Sequence, residues 1–163
     1  MNAPFTSHAK PNIEALLEAV ASHPNDPTLS QLLTPAQWAV LGTYMQTSTL
    51  APGQILISQG AADRSLYFVE SGRLTVHFED AGGKIRLASV GAGSVVGEGG
   101  FFSHMTRSAT VQAAGACKLW SLTPMRFSEL SNRQPQVALA LAMTLGAIMA
   151  KRLISNRRSI AVT

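Results

Sequence analysis

The sequence predicts a mainly β domain with flanking helices, its strands antiparallel and closed into a barrel or paired as two sheets. Two observations carry this. From Leu50 onward, short runs rich in Val, Ile, Leu, Phe and Tyr alternate with glycines at intervals near ten residues, the texture of many short strands joined by turns. Before Leu50 and after Thr123 the apolar period becomes helical, so the helices lie outside the run of strands and not between them, which argues against a parallel sheet with crossover helices.

At the N-terminal end, residues 12–22 set Ile13, Leu16, Leu17 and Val20 at helical spacing with Glu14 and Glu18 opposite, an amphipathic helix. Pro24 and Pro27 bracket a turn-rich break. Thr34-Pro35 then supplies an N-cap and a first-turn proline for a helix running to about Met45. The strands expected after it are 54–58, 66–70, 73–79, 84–90, 94–96, 108–114 and 117–123. Asp80-Ala81-Gly82-Gly83 reads as a hairpin turn, and Ser71-Gly72 as a second tight turn between strands.

Thr123-Pro124 repeats the cap-and-proline signal for a short helix through Leu130, and Pro135 opens a long one. On the long helix Ala138, Ala142, Gly146 and Ala150 recur every four residues, a ridge of small residues that lets another helix approach closely. The partner is either the chain's own β-domain or, most simply, the same helix of a second copy. The division that follows is an N-terminal helical extension (1–30), a β-domain (31–134), and a long C-terminal helix with a basic tail (135–163).

With 163 residues, 46% of them hydrophobic and 13% charged, the chain is long enough for one buried core and too short for two large domains. Thirteen Lys and Arg against nine Asp and Glu give a net charge of +4, and Lys151, Arg152, Arg157 and Arg158 stand together where no neighbouring acid answers them. They read as cations at a helix C-terminus, or as a contact for an acidic partner or nucleic acid. The single cysteine, Cys117, excludes an intramolecular disulfide and four-cysteine metal sites, and fits a reducing cytoplasm. The first eight residues lack a basic start followed by an apolar run, so no signal peptide is expected. Val137–Ala150, the most apolar stretch, would measure about 21 Å as a helix against roughly 30 Å of bilayer core, and is read as a buried or dimer-forming helix. His8, His23, His77 and His104 have no ligand spacing, Ser94 and Ser121 lack a nucleophile's strand-turn-helix context, and no acid pair stands out. Neither a metal nor enzymatic activity is expected.

The chemistry concentrates between Val96 and Ala113. Gly97, Gly99 and Gly100 permit positive φ and close approach of backbone N–H groups to a ligand, as a phosphate-cradling loop requires. Arg107 offers a forked, permanently charged donor for a phosphate, and Glu98 an acceptor for sugar hydroxyls. Gly91-x-Gly93-x-x-x-Gly97 has the wrong spacing for a dinucleotide-binding turn and no helix pattern after it, and Gly83-Lys84 is followed by Ile85 where an NTPase phosphate loop needs a hydroxyl.

Gly97-Glu98 followed by Arg107-Ser108-Ala109-x-Val111-x-Ala113 resembles the phosphate-binding cassette of the cyclic nucleotide-binding domain family. A second block, Leu50-x-Pro52-Gly53-Gln54-x-Leu56-x-x-x-Gly60 through Leu66-Tyr67-Phe68-Val69-x-x-Gly72, resembles the first half of the same fold, so the likeness covers about Leu32 to Arg158. It implies an antiparallel β-roll, a jelly-roll-like double-stranded β-helix, followed by a short helix and a long C-terminal helix. It also implies that Glu98 binds the ribose 2′-hydroxyl, that Arg107 pairs with the cyclic phosphate, and that Gly97, Gly99, Gly100, Ser108 and Ala109 surround it. By the same resemblance Val76 and Leu87 flank the base, and Asn156 or Arg157 caps it. Gly99 departs from the family, which usually carries a bulky aliphatic residue there.

The expected ligand is cAMP, or cGMP or another cyclic nucleotide, with no cofactor. The expected partners are a second copy, through the C-terminal helix, and a protein effector; no membrane is expected. Many bacterial relatives continue into a helix-turn-helix domain, for which the five residues after Arg158 are too few. These expectations describe a stand-alone cytoplasmic sensor that couples binding to the position of its last helix. The alternative is a β-roll that has lost its ligand, with Glu98 and Arg107 paired to each other, acting as a protein-interaction module.

Overall fold

The computed structural model describes residues 12–24 and 26–161, without the side chains of Arg86 and of residues 156–161. Helices α1 (Glu14–Ala21), α2 (Thr28–Leu32) and α3 (Pro35–Gly42) lead into strands β1 (Gln46–Leu50), β2 (Ile55–Ile57), β3 (Leu66–Ser71), β4 (Arg73–Glu79), β5 (Ile85–Gly91) and β6 (Val95–Val96). Helix α4 (Glu98–Ser103) interrupts the strands before β7 (Thr110–Ala113) and β8 (Cys117–Leu122), and α5 (Pro124–Arg133) and α6 (Pro135–Ala161) close the chain. The strands form two four-stranded sheets, ordered β1-β8-β3-β6 and β2-β7-β4-β5, with every pairing antiparallel. This is the expected β-roll with its flanking helices.

Burial explains the sequence texture of the strands. The central strands of the first sheet are covered on both faces, so β3 and β8 read as nearly continuous apolar runs. Val69 and Leu119 face the roll interior with Ile57, Leu74 and Val111, while Phe68 and Trp120 face a second apolar cluster shared with Leu16, Trp38, Leu141 and Leu145 of the helices. The second sheet keeps one face in water, and β4 accordingly mixes apolar with polar residues.

Several expectations change. The polar segment Gln46–Leu50, which follows the expected helix and is assigned to no strand from the sequence, is strand β1; it pairs with β8 alone, and its first four residues are exposed. Residues 28–32, which follow the Pro24–Pro27 break and are assigned to no element from the sequence, form the short α2. A helix does follow Gly97, although two of its six residues are glycine. Ser71-Gly72 is a tight turn between strands, as expected, and it joins the two sheets: β3 and β4 belong to different sheets, and the chain turns the corner between them at Gly72, with φ +92. A Cβ there would stand 2.4 Å from the Ala116 carbonyl oxygen, so only glycine fits. The Asp80–Gly83 hairpin forms as expected, with Gly83 N–H donating to the Asp80 carbonyl at 2.9 Å.

On α6, Leu141, Leu145 and Ile148 are buried, while Leu139, Met143, Gly146, Ala150 and Leu153 are exposed. The small-residue ridge therefore splits: Ala138 packs into the core, whereas Gly146 and Ala150 face outward. Residues four apart advance by 400°, so a row at that spacing winds around the helix. The apolar stretch also runs longer than Val137–Ala150. By length and composition alone the 21 residues Pro135–Ser155 could cross a membrane, while 33% of the apolar 18-residue window within it is buried inside the fold.

Candidate functional site

The turn between β6 and β7 builds the site. Gly97 follows β6 with φ +89, where an added Cβ would lie 2.8 Å from both Arg107 Nη1 and the Ser65 carbonyl oxygen. Only a glycine lets the chain turn there and start α4 against the arginine. The first turn of α4 leaves backbone N–H groups without intrahelical acceptors. Its C-terminal carbonyls are held by Arg64, which donates to Gly100 O at 3.4 Å and Phe101 O at 3.1 Å. Phe101 is buried and meets the Phe127 ring of α5 edge-on, 5.2 Å between centroids.

Arg107 is 4% exposed. Its backbone is pinned to the β2–β3 loop, with N–H donating to Ala61 O and its own carbonyl accepting from Gly60, both at 2.8 Å. Its guanidinium donates through Nη1 to Gly97 O at 3.0 Å, and through Nη2 to Asp63 Oδ2 at 2.5 Å and Ser65 O at 2.6 Å. Nε is buried with no partner among the described residues. The position of this cation is thus fixed from behind while donor capacity remains. Burial pushes the Asp63 carboxyl upward, but hydrogen bonds from Arg107 and Ser65 outweigh it and hold the group below the usual carboxylate range.

Glu98, at the start of α4, pairs with Arg152 of α6, whose Nη2 also donates to Val95 O at 2.8 Å. The pairing of Glu98 with Arg107 weighed from the sequence does not occur; each takes a different partner. A cavity of about 490 Å³ opens beside them. It is lined by Gly97, Glu98, Gly99, Gly100, Arg107, Ser108 and Ala109 from the turn, by Val76 from β4, and by Arg152 from α6. At Gly99 an added Cβ would meet nothing within 4 Å, so the family's usual aliphatic side chain has room.

The structure does not bring Leu87 to this cavity. It is 67% exposed on β5, and strand alternation turns Ala88 and Val90 inward in its place. The side chains of Asn156 and Arg157 lie outside the described residues, as does His8. Sequence reasoning missed three residues. Asp63 and Ser65 carry a turn signal before β3, Ser65 N–H donating to Asp63 Oδ1 at 3.1 Å. Arg152 continues the buried row Leu141, Leu145, Ile148 at the same spacing, and so had to end against the roll. The basic tail is accordingly answered by acids distant in sequence: Lys151 pairs with Asp26, and Arg152 with Glu98.

The family profile for the cyclic nucleotide-binding domain matches residues 47–134, more than half of the chain. The chain belongs to that family. It is 35% identical over 103 residues to glutaminase 2 of Bradyrhizobium diazoefficiens, covering 63% of this chain and 16% of that protein. It is 32% identical over 130 residues to the cAMP-activated global transcriptional regulator of Escherichia coli, covering 78% of this chain and 56% of the regulator. The chain thus spans about half or less of these relatives' lengths. A cyclic nucleotide-binding domain from Methylobacillus flagellatus shares the fold with a TM-score of 0.78 at 22% identity, covering 93% of this chain and 84% of that one.

Proposed function

We propose that this protein is a cytoplasmic bacterial receptor for a cyclic nucleotide of the cAMP type, a regulatory module with no catalysis of its own. The observation that carries the proposal is Arg107: a buried guanidinium, fixed by Asp63, Ser65 and Gly97, that lines a cavity and keeps an unpartnered Nε. Inside such a site a charge-assisted bond to a cyclic phosphate is stronger than at a wet surface. Glu98, Val76 and Val90 line the same cavity, which supports a reading in which Glu98 takes the ribose hydroxyl and the two valines face the base. Residues 31–134 form the binding unit and 135–163 the element that responds.

The response follows from Arg152. The ribose and Arg152 compete for the Glu98 carboxylate, so binding shifts the last turns of the described α6, and Phe101 carries movement of α4 to α5. The outward face of α6 supports a dimer. Leu139, Met143, Gly146, Ala150 and Leu153 are spaced by alternating four and three residues, the pattern of a helix–helix seam with glycine at its middle.

One observation favours a second reading, a ligand-free interaction module: Glu98 and Arg107 both already have ionic partners within the protein. Calorimetry of ligand-stripped protein against cAMP, cGMP and cyclic di-GMP separates the two. Saturable binding of cAMP at one site per chain is expected; no heat with any of the three would favour the interaction module.

A further inference from the structure

A second and larger cavity, about 800 Å³, lies between the α1–α2 link, the β5–β6 turn and α6. Among the described residues three cations line it, Arg73, Lys151 and Arg152, with one carboxylate, Asp26. Lys151 is held by Asp26 at 3.3 Å and Thr28 Oγ1 at 2.5 Å. Asp26 stays ionised: burial raises its carboxyl, but hydrogen bonds from Thr28 and Lys151 bring it below the ordinary value. Arg73 is different. It is exposed at the rim, donates to Ser89 Oγ at 3.1 Å, and has no carboxylate partner among the described residues. The apolar wall opposite comes from Leu29, Ile148 and Ile154. The volume lies within the roughly 300–1,000 Å³ of small-ligand sites.

We propose that this cavity is a second binding site, for a small phosphate-bearing polyanion anchored by the Arg73 guanidinium. A forked donor without an internal acid, in a concave site of net positive charge, is suited to phosphate oxygens. Arg152 lines both cavities, so the two sites communicate. This coupling rests on the cyclic nucleotide reading: ribose bound at Glu98 frees Arg152 for the second cavity, and each ligand tightens the other.

Calorimetry of the full chain with inorganic pyrophosphate at constant ionic strength tests both claims. One saturable site per chain is expected, retained in Arg107→Ala and weakened at least tenfold in Arg73→Gln, whereas Arg73→Gln binds cAMP like the wild type. Saturating cAMP should tighten pyrophosphate at least threefold in the wild type and leave Arg152→Gln unchanged. Absence of saturable binding, or its loss in Arg107→Ala, overturns the second site, and binding that survives in Arg73→Gln marks an adventitious ion only. Binding that depends on Arg73 but ignores bound cAMP overturns the coupling. A chain that binds pyrophosphate through Arg73 and no cyclic nucleotide upholds the second site and refutes the nucleotide reading.

Discussion

Gly97 and Gly99 stand two residues apart in one turn and answer to different constraints. Gly97 sits at φ +89 with the Arg107 guanidinium and the Ser65 carbonyl against it, whereas Gly99 is helical and looks into open space. Gly97→Ala is therefore expected to lower stability by roughly 1–3 kcal/mol through backbone strain and displacement of Arg107. Gly99→Ala is expected to raise it by about 0.5–1 kcal/mol, because alanine favours the helix and meets nothing. Thermal unfolding of the two variants checks this; equal shifts in both would contradict it. From the sequence both glycines looked alike, since residue type signals permission for positive φ but not which position uses it.

At the scale of elements, strands β2 to β8 were legible because their β-branched and aromatic runs and the glycine turns between them follow local chemistry, and their ends fall within one or two residues of expectation. The elements that were not legible depend on tertiary contacts. Strand β1 is polar and exposed, and only pairing with β8 makes it a strand. Helix α4 contains two glycines against its own propensity, and is held by Phe101 packing and by Arg64 on its carbonyls. The link from α4 to α6 through Glu98 and Arg152 was invisible for the same reason: its residues lie 54 apart in sequence. Arg152→Gln is expected to raise amide hydrogen exchange over residues 148–155 without ligand, and to shrink the change that cAMP causes there. Identical exchange in variant and wild type would mean that the ion pair does not hold the helix.

At the scale of the whole molecule, one seam of α6 is left over after the core is packed. At Gly146 an added Cβ meets nothing within 4 Å, so a side chain there disturbs no contact within the protomer. Gly146→Glu is expected to leave the circular dichroism spectrum unchanged while converting a dimer to a monomer in sedimentation, with like charges facing across the seam. A wild-type chain that sediments as a monomer would remove α6 as the dimer element.

The central claim is that Arg107 is the phosphate anchor of a cyclic nucleotide receptor. It is tested most directly by the affinity of Arg107→Ala for cAMP, with circular dichroism confirming the fold. A loss of at least a hundredfold is expected, equivalent to about 2.7 kcal/mol. An affinity equal to that of the wild type, in a folded variant, would contradict the assignment of the site.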